Sequence, residues 1–292
     1  KDADLVMILS SLYHFNTHGQ LMRYLKKLRL PADKPFTYIT SSGGNMDVPA
    51  HNYLRSYARQ NGLKWIRSLS FLDEDVLAEH RREELYRWFQ YVKDIVENRP
   101  LNEQSLREFR ISVLDCGDAA EETERQAAEI AQKYRELGAN VTIYNLREKN
   151  IKGCVACFGC YTNNKCVIKD DFEEFTEELY GNSDMIVTVS GINYNQFSTN
   201  YKYFLDRHVK FGRYGQDLEL IKAYVYCGEM DPMDLAELEQ HTLVVDSLGY
   251  DVYVGMYAGT EEGIRQLIQE SAYTCINDLY PQRNTYGYGL SM

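Results

Sequence analysis

Two rhythms alternate along this 292-residue chain, and no other feature narrows its fold as much. Short apolar runs that end in small or polar residues are followed by stretches with apolar residues at every third or fourth position. An apolar run of about four to eight residues is how a strand buried on both faces reads, and the longer period marks a helix packed on such a sheet. From residue 109 the runs FRISVLDCG (109–117), NVTIYNL (140–146), SDMIVTVSG (183–191), IKAYVYCG (221–228) and YDVYVGMYAG (250–259) alternate with helical patterns at 121–137, 171–181, 198–210, 233–248 and 260–279. Five strands interleaved with five helices predict an α/β, doubly wound parallel sheet, and the order 2-1-3-4-5 leads among the orders it allows. Another parallel order stays open on pattern alone.

The first hundred residues repeat the alternation, with strands at 4–11, 36–42 and 63–71 and helices at 18–29, 50–61 and 75–98. Pro100 and the polar stretch LNEQSLRE read as a linker, which divides the chain into 1–100 and 108–292. SSLYHFNTHGQLMRYL (10–25) aligns without a gap to SGINYNQFSTNYKYFL (190–205), each leaving a strand and entering a helix. On that match, 1–100 is a partial copy equivalent to strands 3, 4 and 5, with nothing matching strands 1 and 2. Three strands alone leave an apolar edge at 4–11. Either the natural chain starts upstream of Lys1, or another chain or the larger half covers that edge.

A net charge of −11 argues against a nucleic-acid partner, whose phosphates it would repel. No apolar run approaches the ~18 residues that cross a bilayer, so no membrane partner is expected. Of seven cysteines, four fall between 154 and 166. A secreted disulfide scaffold spreads its cysteines through a shorter chain, so this clustering points to a reducing cytoplasm and a metal or cluster site.

Cys154, Cys157, Cys160 and Cys166 follow the spacing C-x2-C-x2-C-x5-C. Four soft thiolates on one short loop can enclose a 4Fe–4S cube. They also suit zinc, although zinc sites more often pair two C-x2-C units across a longer spacer, and such cysteines can also stand without any metal. Gly153 and Gly159 are expected to relieve the bends of this loop, and Lys152, Lys165 and Lys169 to offset its negative charge. Cys227 and Cys275 read as small buried hydrophobes, and His51, His80 and His241 as surface or internally satisfied residues.

The loop CVACFGCYTNNKCVIKDDF, the stretch SGINYNQFSTNYKYFLDR (190–207) and the copy at 10–25 together resemble the NADPH-dependent FMN reductases and, within them, the iron–sulfur flavoproteins. The resemblance covers 109–279 well and 1–98 more loosely. It implies a flavodoxin-like fold, with FMN and a 4Fe–4S cluster as cofactors. It also implies a reductase fed by NAD(P)H or a ferredoxin-like donor that reduces a small-molecule electron acceptor, in the cytoplasm of an anaerobe, as a homo-oligomer or complex subunit. The family pattern after the third strand is S-P-x-Y-F/W and then K-x-F-x-D-R. Here Ser190, Lys202, Phe204, Asp206 and Arg207 fit, Gly191 and Asn193 replace Pro and Tyr, and Asp206 with Arg207 are expected to pair. In the first copy Ser10, Tyr13, Gly19, Gln20 and Leu21 fit, with Ser11 at the Pro position.

The family's phosphate loop, S-x-R-x-x-S/G-x-T, corresponds here to Cys116 through Thr123, where only Thr123 is kept. Asp118 stands at the Arg position, and Glu121 and Glu122 crowd the helix start. Acids are ordinary at a helix N-terminus, yet these would repel a phosphate dianion. The flavin ring is therefore expected on the smaller half. There it would lie against Ser10, Ser11, Tyr13, His14, Phe15, Asn16 and Thr17 after the first strand, and Thr40, Ser41, Ser42, Gly43, Gly44 and Asn45 after the second. Residues 41–45 also read as a plain turn. No catalytic acid or base is identifiable. The competing reading is a flavin-free scaffold or electron-transfer subunit of a larger complex.

Overall fold

The computed structural model describes residues 3–11, 17–42, 48–72, 78–118, 120–163, 165–210, 220–246 and 252–277. The smaller half contains strands β1 (Val6–Ser11), β2 (Pro35–Ser42), β3 (Lys64–Trp65) and β4 (Leu69–Leu72), with helices α1 (Gly19–Leu25), α2 (Val48–Gln60) and α3 (Glu79–Val96). β1 lies parallel to β2, and β3 and β4 both lie parallel to β2 on its other side. The single strand expected over 63–71 is thus broken in two. At the break, the Arg67 carbonyl accepts from the Thr37 hydroxyl at 3.1 Å and the Trp88 indole N–H at 2.8 Å instead of joining a ladder.

The larger half runs β5 (Arg110–Asp115), α4 (Ala120–Glu136), β6 (Asn140–Asn145), α5 (Cys160–Asn163), α6 (Phe172–Gly181), β7 (Met185–Asn193), β8 (Gln196–Phe197), α7 (Thr199–Asp206), β9 (Ile221–Cys227), α8 (Pro232–Asp246), β10 (Val252–Ala258) and α9 (Glu261–Ile276). Its main sheet has the order β10-β9-β7-β5-β6, every pair parallel. Ile111, Val113, Val187 and Ala223 pack against α4 and α9, while Leu114, Ile186 and Tyr224 pack against α6, α7 and α8. Both faces are covered, as the near-continuous apolar strands require. The architecture is α/β with parallel sheets, consistent with a flavodoxin-like fold.

The expectation of parallel pairing alone is corrected at one point. β8 folds back antiparallel on the end of β7, with Ile192 opposite Phe197 and Asn193 opposite Gln196. Tyr194 and Asn195 between them have φ of 50° and 58°, as a two-residue hairpin turn of matching twist demands. The aligned stretches behave alike at their helices. α1 starts at Gly19 behind His18, whose ring accepts from the Gln20 amide, and α7 starts at the matching Thr199 behind Ser198, whose hydroxyl accepts from the Tyr201 amide.

The halves are joined through helices. Arg55 and Arg59 of α2 pair with Glu239 of α8, the first at 3.2 Å, and Asn277 after α9 donates to Asp94 of α3 at 3.2 Å. Tyr273 of α9 enters the apolar cluster of Trp88, Tyr91 and Ile95. No described helix is long and apolar enough to cross a membrane.

Glu270 of α9 is buried, and the Tyr257 hydroxyl donates to it at 2.6 Å. A side chain at Gly255 would strike that hydroxyl, so the glycine makes the contact feasible. Burial pushes the Glu270 carboxyl up to about 7, against the opposing hydrogen bond from Tyr257. A folded-state value above the unfolded 4.5 means that the native state binds the extra proton, so stability falls as pH rises from about 4.5 to 7. Glu270→Gln removes that loss. Urea denaturation should show the variant and wild type alike near pH 4.5 and the variant more stable at pH 8, by on the order of 3 kcal/mol.

Candidate functional site

Parallel pairing in the smaller half brings the ends of its strands together: Ser10 lies beside Thr40, Ser11 beside Ser41, Ser41 beside Phe71 and Ser42 beside Leu72. This is the carboxyl edge, where sheets of this kind take ligands. Thr17 is buried close to the start of α1. Tyr13, His14, Phe15, Asn16, Gly43, Gly44 and Asn45 lie outside the described residues. Behind the edge, His51 of α2 is fully buried, its Nε2 2.9 Å from the Thr40 hydroxyl and its Nδ1 2.7 Å from that of Ser68. His51 is thus an internally satisfied histidine. It shares a helical face with Leu54 and Ala58, a spacing from which its burial can be read.

The acids of the loop from β5 to α4 are bonded within the chain. Asp118 accepts from the Asn193 amide group at 2.8 Å and from the Thr199 backbone N–H at 3.2 Å. Its carboxylate therefore occupies the electropositive end of α7. Asp115 accepts from the Gly117 N–H at 3.0 Å and from Arg147 at 3.2 Å, while Arg147 also pairs with Glu124 and donates to the Gly117 carbonyl. A Cβ at Gly117 would lie 2.0 Å from the Thr123 hydroxyl, so no side chain fits there. Arg147 carries no motif that would have flagged it; its position just after β6 brings it to the acids.

The four cysteines sit on the connection from β6 to α6. Its two ends are stitched together: the Asn150 N–H donates to Asp171 at 2.8 Å, and the Lys152 N–H donates to Asp170 at 2.9 Å. Asp170 also meets Arg207 at 2.5 Å, with side chains 0% and 1% exposed. Arg207 further donates to the Lys152 carbonyl at 3.3 Å and lies over the Phe172 ring at 4.2 Å. Burial alone would raise the Asp170 carboxyl, yet the Lys152 amide, Arg207 and the Phe172 amide hold it below the ordinary carboxylate value. The expected Asp206–Arg207 pair is not formed. Asp206 pairs with Lys202 one helical turn earlier, and Arg207 turns inward to Asp170.

Cys154, Cys157, Cys160 and Cys166 all line one cavity of about 300 Å³, with Arg207 in its wall. Cys154 and Cys157 are exposed, and Cys160 and Cys166 half-buried. Burial pushes the Cys160 thiol up, and Cys166, Cys154 and Cys157 add to the effect as neighbouring anions. The Cys154 sulfur accepts from the Ala156 N–H at 3.4 Å. The left-handed bends fall at Ala156 and Phe158, with φ of 50° and 53°, rather than at the glycines. Gly153 instead makes room for the Tyr203 ring and Gly159 for Val167, each within about 3 Å of where a Cβ would stand.

Among the described residues no three His, Cys, Asp or Glu side chains are gathered tightly enough for one metal ion. A tetrahedral zinc with Zn–S bonds of about 2.3 Å would draw its sulfurs to roughly 4 Å of one another. The four thiols therefore share a cavity without sharing a single-ion site.

No family model matches the chain. An iron–sulfur flavoprotein of Archaeoglobus fulgidus is 26% identical over 132 residues, which make up 42% of this chain and 57% of that protein. The chain thus spans less than two thirds of the curated relative it matches, and it resembles an iron–sulfur flavoprotein over that stretch. Among solved structures, an NAD(P)H:quinone oxidoreductase from Methanothermobacter marburgensis is 13% identical, with a TM-score of 0.43 over 59% of this chain and 96% of that one. A flavone reductase is 14% identical, with a TM-score of 0.40 over 57% and 62%. The Trp repressor binding protein of Bacillus subtilis is 17% identical, with a TM-score of 0.37 over 57% and 99%.

The stitched base of the loop is open to a direct check. Asp170→Asn leaves the Arg207 guanidinium buried without its counter-charge, a loss of about 3–5 kcal/mol. Urea unfolding should record that loss, whereas Asp171→Asn, on the exposed side of the same turn, should cost under about 1 kcal/mol.

Proposed function

We propose that this chain is a flavin-linked electron-transfer oxidoreductase whose cysteine loop holds a 4Fe–4S cluster. The observation that carries the reading is one cavity lined by four thiols, with no single-ion site among the described residues. Thiolates are the donors that iron–sulfur clusters take, and a cube spreads its four ligands farther apart than one ion does. Similarity to an iron–sulfur flavoprotein supports the same reading. Cys154, Cys157, Cys160 and Cys166 would hold the cluster, with Val155, Phe158 and Val167 lining the same cavity. Such a cluster passes one electron at a time, while FMN exchanges one or two. A small-molecule acceptor and an NAD(P)H or ferredoxin-like donor complete the proposal.

The larger half, 108–292, is read as a flavodoxin-like domain, because β6, β5, β7, β9 and β10 stand in the spatial order 2-1-3-4-5. Residues 1–100 are read as a partial copy, supported by the equivalent helix starts at Gly19 and Thr199. FMN is assigned to the smaller half, since Asp118 stands at the phosphate-loop Arg position of the larger one and Glu121 and Glu122 lie in the first turn of α4. That same loop favours the second reading, a flavin-free electron-transfer subunit. Assembly with another chain is supported by β1, which among the described residues pairs with β2 alone and leaves Leu9 68% exposed.

Anaerobic purification followed by iron and sulfide assay tests the cluster. About four of each per chain are expected, and Cys→Ser at any of the four positions should lower both. Stoichiometric zinc, or four freely titrating thiols in the anaerobic protein, would end the proposal. Flavin released by acid and measured by fluorescence tests the other half. Gly43→Leu should reduce it several-fold and Asp118→Arg should leave it unchanged. Loss of flavin on altering 191–194 alone would move the site to the larger half, and absence of flavin from the anaerobic wild type would favour the subunit reading.

A further inference from the structure

Among the described residues, Arg207 is the one buried cation in the wall of the cysteine cavity, and only part of its guanidinium is used. Nη1 serves Asp170 and the Lys152 carbonyl. Nε and Nη2 are buried and have no hydrogen-bond partner among the described residues. Buried N–H groups of a charged side chain are costly to leave unsatisfied, and this one has little freedom to turn away. Asp170 holds its end and the Phe172 ring lies against it at 4.2 Å. The unmet donors belong to a side chain that lines the same cavity as four thiols, and an acceptor carried there is a partner they could take.

We propose that Arg207 is a positioning residue for the anionic group that Cys154, Cys157, Cys160 and Cys166 would hold, its Nε–H and Nη2–H being the donors left for that group to use. The inference rests on the cluster reading and deepens it. The fork geometry matters, because a guanidinium can give Nη1 to a carboxylate and still present two further donors, which an ammonium cannot do from one fixed position. Lys152, Lys165 and Lys169 are exposed on the same loop, so water and salt screen their charges. Arg207 is screened far less. Reduction adds one negative charge to the group, and a fixed buried cation in the wall of its cavity favours the reduced form.

The test is an anaerobic titration with dithionite, followed by electron paramagnetic resonance, on wild type, Arg207→Lys and Arg207→Gln, with iron and sulfide assayed on each. In Arg207→Gln the retained cluster should have its reduction equilibrium moved at least about tenfold toward the oxidised form, which is about 59 mV for a one-electron couple. Arg207→Lys should move it in the same direction by less. If Arg207→Gln sheds the cluster, a lowered midpoint in Arg207→Lys still supports the proposal. An unshifted midpoint in a cluster-bearing Arg207→Gln overturns it, as does a wild-type midpoint in Arg207→Lys when Arg207→Gln is empty. Loss of the cluster from both variants assigns Arg207 to the staple with Asp170 alone and overturns it too. Wild type without iron and sulfide sinks the cluster reading itself, and is told apart by that assay before any variant is compared.

Discussion

The contact between Asp170 and Arg207 joins three parts of the chain: the entry to the cysteine loop at Lys152, its exit at Phe172, and the end of α7. A carboxylate and a guanidinium this deeply buried survive only if each satisfies the other and the remaining lone pairs find donors. Asp170 meets that condition with two backbone amides besides the guanidinium. The loop can then be irregular over most of its length and still return to one place. Without the pair, a stretch with exposed Cys154, Val155 and Phe158 has few local interactions to order it.

A second constraint is set by where acids fall at strand ends. In the larger half Asp115 and Asp118 are drawn into the β5–α4 loop by Arg147, Asn193 and the amide of Thr199. The position that attracts an anion is met from within the chain. In the smaller half, hydroxyl residues stand at the corresponding edge, and the buried His51 ties Thr40 to Ser68 behind it. The two edges share a backbone plan and differ in charge, and a ligand that bears phosphate would sense that difference first.

The sheets and most helices were legible because burial on both faces writes continuous apolar runs: β5, β6, β9 and β10 lie inside the runs read for them, and β7 overruns its own by two residues. That Cys154, Cys157, Cys160 and Cys166 come together was legible because their spacing is local. Features that depend on a distant partner were not. The β7–β8 hairpin turns on Tyr194 and Asn195, neither of them a glycine, and its signal is lost between a strand and a helix. At the break before β4 the Arg67 carbonyl meets Trp88, more than twenty positions along the chain. Arg207 reads as the partner of its neighbour Asp206, and Arg147 carries no signal at all, since sequence does not say which carboxylate each will find. The same holds for Glu270, whose neighbour Tyr257 arrives from a strand through space left by Gly255.

On the proposed reading, the division between staple and mouth has a functional sense. The Asp170–Arg207 pair at the base of the loop is buried, while Cys154 and Cys157 stand at the surface beside Val155 and Phe158. Electron exchange with a second protein or another copy of the chain requires close approach, and apolar side chains around an exposed pair of ligands make such an approach favourable while excluding water. A more deeply buried loop would protect the sulfurs better and lengthen that path. A fully exposed one would lose Arg207, since a cation in water has little influence on a charge across a screened gap. The geometry stands between these limits: the charge that acts on the site is held underneath by Asp170, and the face left open is the one another redox partner can reach.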